Sequence, residues 1–136
     1  NGRITLETGT YEFEMELQLS GMSGTSGNAQ ILLLCGGTCG GYNWFTHGLD
    51  NTTRTTISAD LAAHHVTNAT AASVVTAGTG TGLRLFAKGS FECTVAGTLT
   101  PQIDLVTAAA ATVVEGSYFK ITRLGAVATN SVGQWD

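Results

Sequence analysis

Tyr11, Phe13, Met15, Leu17 and Leu19 alternate with Glu12, Glu14, Glu16 and Gln18 without a break. A period of two places every apolar side chain on one face and every polar one on the other, the pattern of a half-buried β-strand. A helix would scatter the same residues around its circumference. So much apolar surface on one face needs a second layer to cover it, and the strand therefore implies a sandwich or barrel. Gly9-Thr10 precedes the run, and the polar, glycine-rich stretch from Ser20 to Asn28 ends it.

Shorter runs repeat the theme. Ile4 to Leu6 reads as a short strand, and Ile31-Leu32-Leu33-Leu34 within Ala29 to Cys35 as a strand covered on both faces or lying at a subunit contact. Gly36 to Gly41 reads as a loop, followed by the aromatic cluster Tyr42 to Thr46 and a Thr-rich strand from Thr52 to Ala59. Asp60 to Thr70 could hold one helical turn, and Ser73 to Ala77 a short strand. Leu83, Leu85, Ala87, Phe91, Cys93 and Val95 share one parity across Gly89, which predicts one long strand bent at the glycine. Beyond Ala96-Gly97, the alternation of Leu99, Ile103 and Leu105 predicts its hairpin partner, with Pro101 marking an edge or a bulge. Ser117 to Leu124 closes the series, with Phe119 and Ile121 on one face and Tyr118, Lys120 and Thr122 on the other. About eight strands and no convincing helix predict an all-β, antiparallel jelly-roll sandwich.

The 136 residues point to one domain, residues 1–136. Charged residues make up 12% of the chain, against roughly 25% in ordinary soluble domains. A surface this poor in charge suits a protein that hides part of itself in an assembly. Net charge is −4 with the six Lys and Arg dispersed, so nothing offers a phosphate-binding patch, and nucleic acid is not an expected partner. No run reaches the ~18 apolar residues of a membrane helix, so membrane insertion is not expected. The chain begins at Asn1, which suggests a piece of something longer. Cys35, Cys39 and Cys93 are an odd number, and the first two flank a three-residue spacer, so reduced thiols and assembly in a reducing cytosol are expected.

Four segments carry a resemblance. Gly9-Thr10-Tyr11-Glu12-Phe13 resembles the G-x-Y-x-F strand of the jelly-roll family that includes the complement globular heads and tumour necrosis factor. Gly9 to Glu14, Met22 to Asn28, Gly97 to Gln102 and Gly116 to Gly125, in that order, are closer still to a domain common in bacteriophage virion proteins. That resemblance implies a homotrimer on a tail fibre, spike tip or capsid surface, contacting other virion proteins and a host cell-surface glycan or protein. It places the protein in the virion after assembly in the host cytoplasm. It also implies that the family's usual first strand lies before Asn1. Host attachment at a fibre or spike tip is the first functional expectation and capsid decoration the alternative; both are non-enzymatic. A polysaccharide depolymerase is the third.

Weighed by chemistry, few residues stand out as a site. Glu12, Glu14 and Glu16 have the spacing of paired acids, but three like charges on the outward face of a strand are more simply its wet side. His47, His64 and His65 read as solvated loop histidines, so neither metal nor cofactor is expected. No G-x-S-x-G elbow or phosphate loop occurs, and no catalytic residue is assigned. Tyr42, Asn43, Trp44 and Phe45 are the binding candidates: aromatic faces stack on sugars, and the polar neighbours can orient a ligand. The weightier alternative is that these aromatics fill the sandwich core or a trimer contact. The loop from Ser23 to Asn28 is the second choice, and Trp135 reads as an anchor for the C-terminal tail.

Overall fold

A computed structural model describes residues 2–23, 27–50, 63–65, 72–77, 81–105 and 107–126. Thr52 to Ala59, residues 24–26 of the stretch Ser23 to Asn28, and Trp135 lie outside them, while Gly27 and Asn28 of that stretch open a strand rather than end a loop. The described chain is all-β, with ten strands: β1 (Ile4–Leu6), β2 (Gly9–Ser20), β3 (Gly27–Cys35), β4 (Thr38–Asp50), β5 (Ala63–His65), β6 (Ala72–Ala77), β7 (Gly82–Val95), β8 (Gly97–Leu105), β9 (Thr112–Val113) and β10 (Tyr118–Gly125). They form two antiparallel sheets. A four-stranded sheet runs β1-β8-β3-β6, and a six-stranded sheet runs β10-β2-β7-β4-β5 with β9 also paired to β2.

The alternation in β2 does what its period demands. Tyr11, Phe13, Met15, Leu17 and Leu19 are buried, and they share one core with Leu6, Ile31, Leu33 and Leu99 from the opposite sheet. On β7, Leu83, Leu85, Ala87, Phe91 and Cys93 face the same core, while Val95 at the strand end is exposed. Phe119 and Ile121 of β10 pack against its margin.

Three chain passages cross between the sheets at one corner. β1 leads into β2 through Glu7-Thr8, β3 into β4 through Gly36-Gly37, and β7 into β8 through Ala96. β7 lies between β2 and β4 in one sheet, and β8 lies between β1 and β3 in the other, so the three neighbours turn together. A side chain on Gly97 would overlap the backbone of Gly37, and one on Gly37 would overlap the Val95 carbonyl. The Gly36 N–H donates to the Thr98 carbonyl at 2.7 Å, and the Tyr11 hydroxyl to the Glu7 carbonyl at 2.9 Å. Backbone satisfaction survives the corner because glycine lets the passages touch.

Gly89 solves a second steric problem. It stands in register between Phe13 on β2 and Trp44 on β4, and a Cβ there would overlap Trp44. The missing side chain lets the two rings approach to 5.9 Å between centroids. The bend expected at Gly89 lies instead on the partner strand. β2 pairs with β7 without interruption, whereas two residues of β4, Gly41 and Tyr42, oppose Phe91 alone. Gly41 adopts φ 59°, the left-handed conformation such a bulge favours.

Several expectations are corrected. The apolar run of β3 is covered on one face only: Ala29, Ile31 and Leu33 are buried, while Leu34 is 46% exposed. β8 is not the hairpin partner of β7, because it leaves that sheet at Ala96 to pair with β1 and β3. β1 covers β8 only as far as Leu99, which leaves an edge where Pro101 is tolerated. Gly36 to Gly41 is not a loop, since β4 begins at Thr38. Ala63–His65 is a strand paired to β4 rather than part of a helical turn. Cys35 and Cys39 are not reduced thiols but a disulfide, because the two-residue crossover brings their Cα atoms to 6.3 Å; Cys93 is free and buried.

Phe13→Ala is expected to cost about 3–5 kcal/mol, and Gly89→Ala about 3 kcal/mol, the upper end of overpacking. Glu14→Gln on the outer face should stay within about 0.5 kcal/mol of wild type. Urea denaturation midpoints at constant slope measure all three, and a costly Glu14→Gln would contradict the register of β2.

Candidate functional site

Tyr42, Asn43, Trp44 and Phe45 form part of the central strand β4, not of a loop, and their parity divides them. Trp44 is 1% exposed and Tyr42 6%, so neither can meet a ligand from outside. Tyr42 stacks on Phe91 at 5.4 Å, and Phe91 stacks on Tyr11 at 5.5 Å. The Tyr42 hydroxyl is buried without a hydrogen-bond partner among the described residues. Burial, and secondarily the Cys93 thiol nearby, pushes its phenol up to about 12. These two residues are core, the alternative weighed for them in the sequence, and of the four binding candidates they are the two that the fold withdraws from the surface.

Asn43 and Phe45 point the other way, onto the outer face of the six-stranded sheet. Phe45 is 47% exposed. Asn43 Oδ1 lies 2.7 Å from His64 Nε2 on β5. The Phe45 ring runs nearly parallel to His47 at 6.3 Å, and His47 to Phe86 of β7 at 5.0 Å. The Arg84 guanidinium then sits 5.5 Å from the Phe86 centroid and pairs with Glu16 of β2, its Nε 2.7 Å from Oε1. A strip of exposed and half-buried rings thus crosses from β5 to β7 and ends in an ion pair with β2. His47 and His64 lie on strands rather than in loops, and His47 is half-buried between two phenylalanines. Of the strip, the sequence reading named Asn43 and Phe45 as binding candidates and His47 and His64 as solvated histidines. It missed Phe86 and Arg84, whose signal was their parity opposite the buried residues of β7.

The acids extend the strip into a charged field. Lys120, Glu14 and Lys88 stand opposite one another on β10, β2 and β7, an arrangement of alternating sign that cross-strand pairing favours. Glu14 also accepts a hydrogen bond from the Tyr118 hydroxyl at 2.7 Å, and this bond holds the Tyr118 phenol above its usual range. Glu12, Glu14, Lys88, Lys120 and Thr122 line a shallow depression little larger than a water molecule. A glycosidase needs two acids across a cleft wide enough for a sugar ring; here the three glutamates follow one another along an open strand face. Among the described residues, no three His, Cys, Asp or Glu side chains are grouped to hold a metal ion. No described helix is long and apolar enough to cross a membrane.

Comparison of the chain with protein-family models, with curated proteins and with solved structures gave no match.

Trp44→Ala is expected to cost about 3–5 kcal/mol, as loss of a fully buried aromatic does. Tyr42→Phe should be neutral or stabilising by up to about 1 kcal/mol, because it removes a buried hydroxyl that has no partner. Thermal or urea unfolding of the two variants checks both. A marked loss of stability in Tyr42→Phe would mean that its hydroxyl is hydrogen-bonded.

Proposed function

We propose that this chain is a non-enzymatic jelly-roll domain of a bacteriophage virion protein, homotrimeric, whose role is attachment to the host surface. The strand pairing carries this reading. The ladders β1·β8, β2·β7, β3·β6 and β4·β5 join the first four strands to the next four in reverse order. Such pairing is a single long hairpin ribbon, and rolling it up makes β3 neighbour β8 and β4 neighbour β7, as both do. An eight-stranded ribbon rolled into two sheets is the jelly-roll plan. The ordered motifs that resemble phage virion domains fall on this frame: the first on β2, the third on β8 and the last on β10.

Charge distribution supports assembly. The outer face of the four-stranded sheet carries Leu32, Leu34, Thr98, Thr100 and Gln102, with Asp104 as the charged residue at one end. A face with almost no charge can meet an identical copy without like-charge repulsion, and it suits burial around a three-fold axis. The opposite outer face, with its rings and charges, is left to meet a host glycan, since aromatic side chains flanked by hydrogen-bonding groups are what sugars stack on.

Light scattering on the purified domain is expected to give about three times 14.0 kDa. Leu34→Glu should reduce this to the monomer mass while far-UV circular dichroism stays unchanged. A wild-type monomer at micromolar concentration would overturn the trimer. On an array of bacterial surface glycans, wild type should bind, and Phe45→Ala should lose binding while remaining trimeric. A trimer that binds no glycan in such an array would favour decoration of the particle over attachment.

A further inference from the structure

All three cysteines meet at the corner where the chain passes between the sheets. Cys35 ends β3, Cys39 lies at the start of β4, and the two are disulfide-bonded across Gly36-Gly37-Thr38. Cys93 near the end of β7 is a free thiol, and it is the direct register partner of Cys39 in the β4·β7 ladder. Both turn toward the interior: Cys93 is fully buried in the core, and Cys39 packs against it. Directly opposed residues of an antiparallel pair have Cα atoms about 4.5–5.5 Å apart, inside the roughly 4.4–6.8 Å that a disulfide spans. Cys39 therefore has two admissible partners, one across its own crossover and one across the ladder.

We propose that Cys39 exchanges its disulfide between Cys35 and Cys93, so that the corner works as a thiol–disulfide switch. The Cys93 thiol releases its proton to water, and the thiolate attacks Cys39 Sγ. The Cys39–Cys93 bond forms as the Cys35–Cys39 bond breaks, and Cys35 leaves as a thiolate that takes up a proton. One thiol and one disulfide enter the step and one of each leaves it, so no oxidant or reductant is consumed. The two isomers differ mechanically. Cys35–Cys39 ties the ends of the crossover between sheets, whereas Cys39–Cys93 ties two neighbouring strands of one sheet and leaves the crossover untethered.

The folded corner restrains the exchange. The Cys93 thiol donates to the Val95 carbonyl at 3.2 Å, and burial raises its pKa, so little thiolate exists until the end of β7 opens. The rate should therefore rise with pH and with any event that loosens the corner.

The test uses the wild-type chain, oxidised and folded. It is held at pH 9 without added oxidant, trapped with N-ethylmaleimide, digested under non-reducing acidic conditions and mapped by mass spectrometry. The expected result is a Cys39–Cys93 peptide together with an adduct on Cys35, accumulating faster at pH 9 than at pH 7. An adduct confined to Cys93, with Cys35–Cys39 intact after prolonged trapping, would overturn the proposal. Cys35→Ser in a glutathione redox buffer gives a second reading. It should form Cys39–Cys93 while keeping the wild-type circular dichroism. A folded Cys35→Ser variant that carries only glutathione adducts or free thiols would also refute it.

Discussion

The contact between Gly37 and Gly97 is the constraint from which the remaining architecture follows. A ribbon of antiparallel strands can become two facing sheets only if neighbouring strands turn at the same level. Here β1–β2, β3–β4 and β7–β8 do so at one corner, and glycine removes the side chains that would hold the passages apart. Once they turn together, Leu6, Leu33 and Leu99 of one sheet are brought over Phe13, Leu85 and Phe91 of the other, and one core results. The second steric relief, at Gly89, then fits Trp44 and Phe13 side by side into that core. Hydrophobic burial supplies the driving force, and the glycines determine which packing can reach it.

The two outer faces have diverged in chemistry although the fold builds them alike. Arg84, Lys88 and Lys120, half of the chain's 6 Lys and Arg residues, stand on the outer face of the six-stranded sheet beside Glu12, Glu14 and Glu16. The four-stranded sheet presents leucine, threonine and glutamine instead. A uniformly low charge across the chain thus resolves into one nearly neutral face and one charged face. Average composition alone could not separate the two surfaces. Parity and register locate both faces, because each residue's side of the sheet follows from its offset to a buried neighbour.

Most of the strand positions were legible in the sequence, and most of their connections were not. The alternation from Tyr11 to Leu19 gave β2 and its inward face, and the common parity of Leu83 to Cys93 gave β7, because a period of two is a local signal. Partnership is not local. Ala96-Gly97 looks like a hairpin turn whether β8 folds back beside β7 or departs into the other sheet, and only the packing of Gly97 on Gly37 decides. The same holds for Cys35 and Cys39. An odd cysteine count argued for free thiols, while the pairing depends on a crossover too short for the sequence pattern to reveal.

The candidate site shows the most instructive failure. Tyr42, Asn43, Trp44 and Phe45 were read as a cluster because they are consecutive, and consecutive residues can share a ligand only in a loop. On a strand they cannot, since neighbours project to opposite faces. Flanking glycines suggested a loop, but Gly41 serves a bulge inside β4 that leaves the strand intact on either side. The bulge shifts the parity of β4, so that Cys39 before it and Tyr42 and Trp44 after it all face the core. What remains outside is Asn43 with His64 and His47 with Phe86, pairs distant in sequence that the β4·β5 and β4·β7 ladders bring together, with Phe45 beside His47 on β4. A binding surface on a sheet face is written across strands, at every second residue, so scanning along the chain finds at most one row of it.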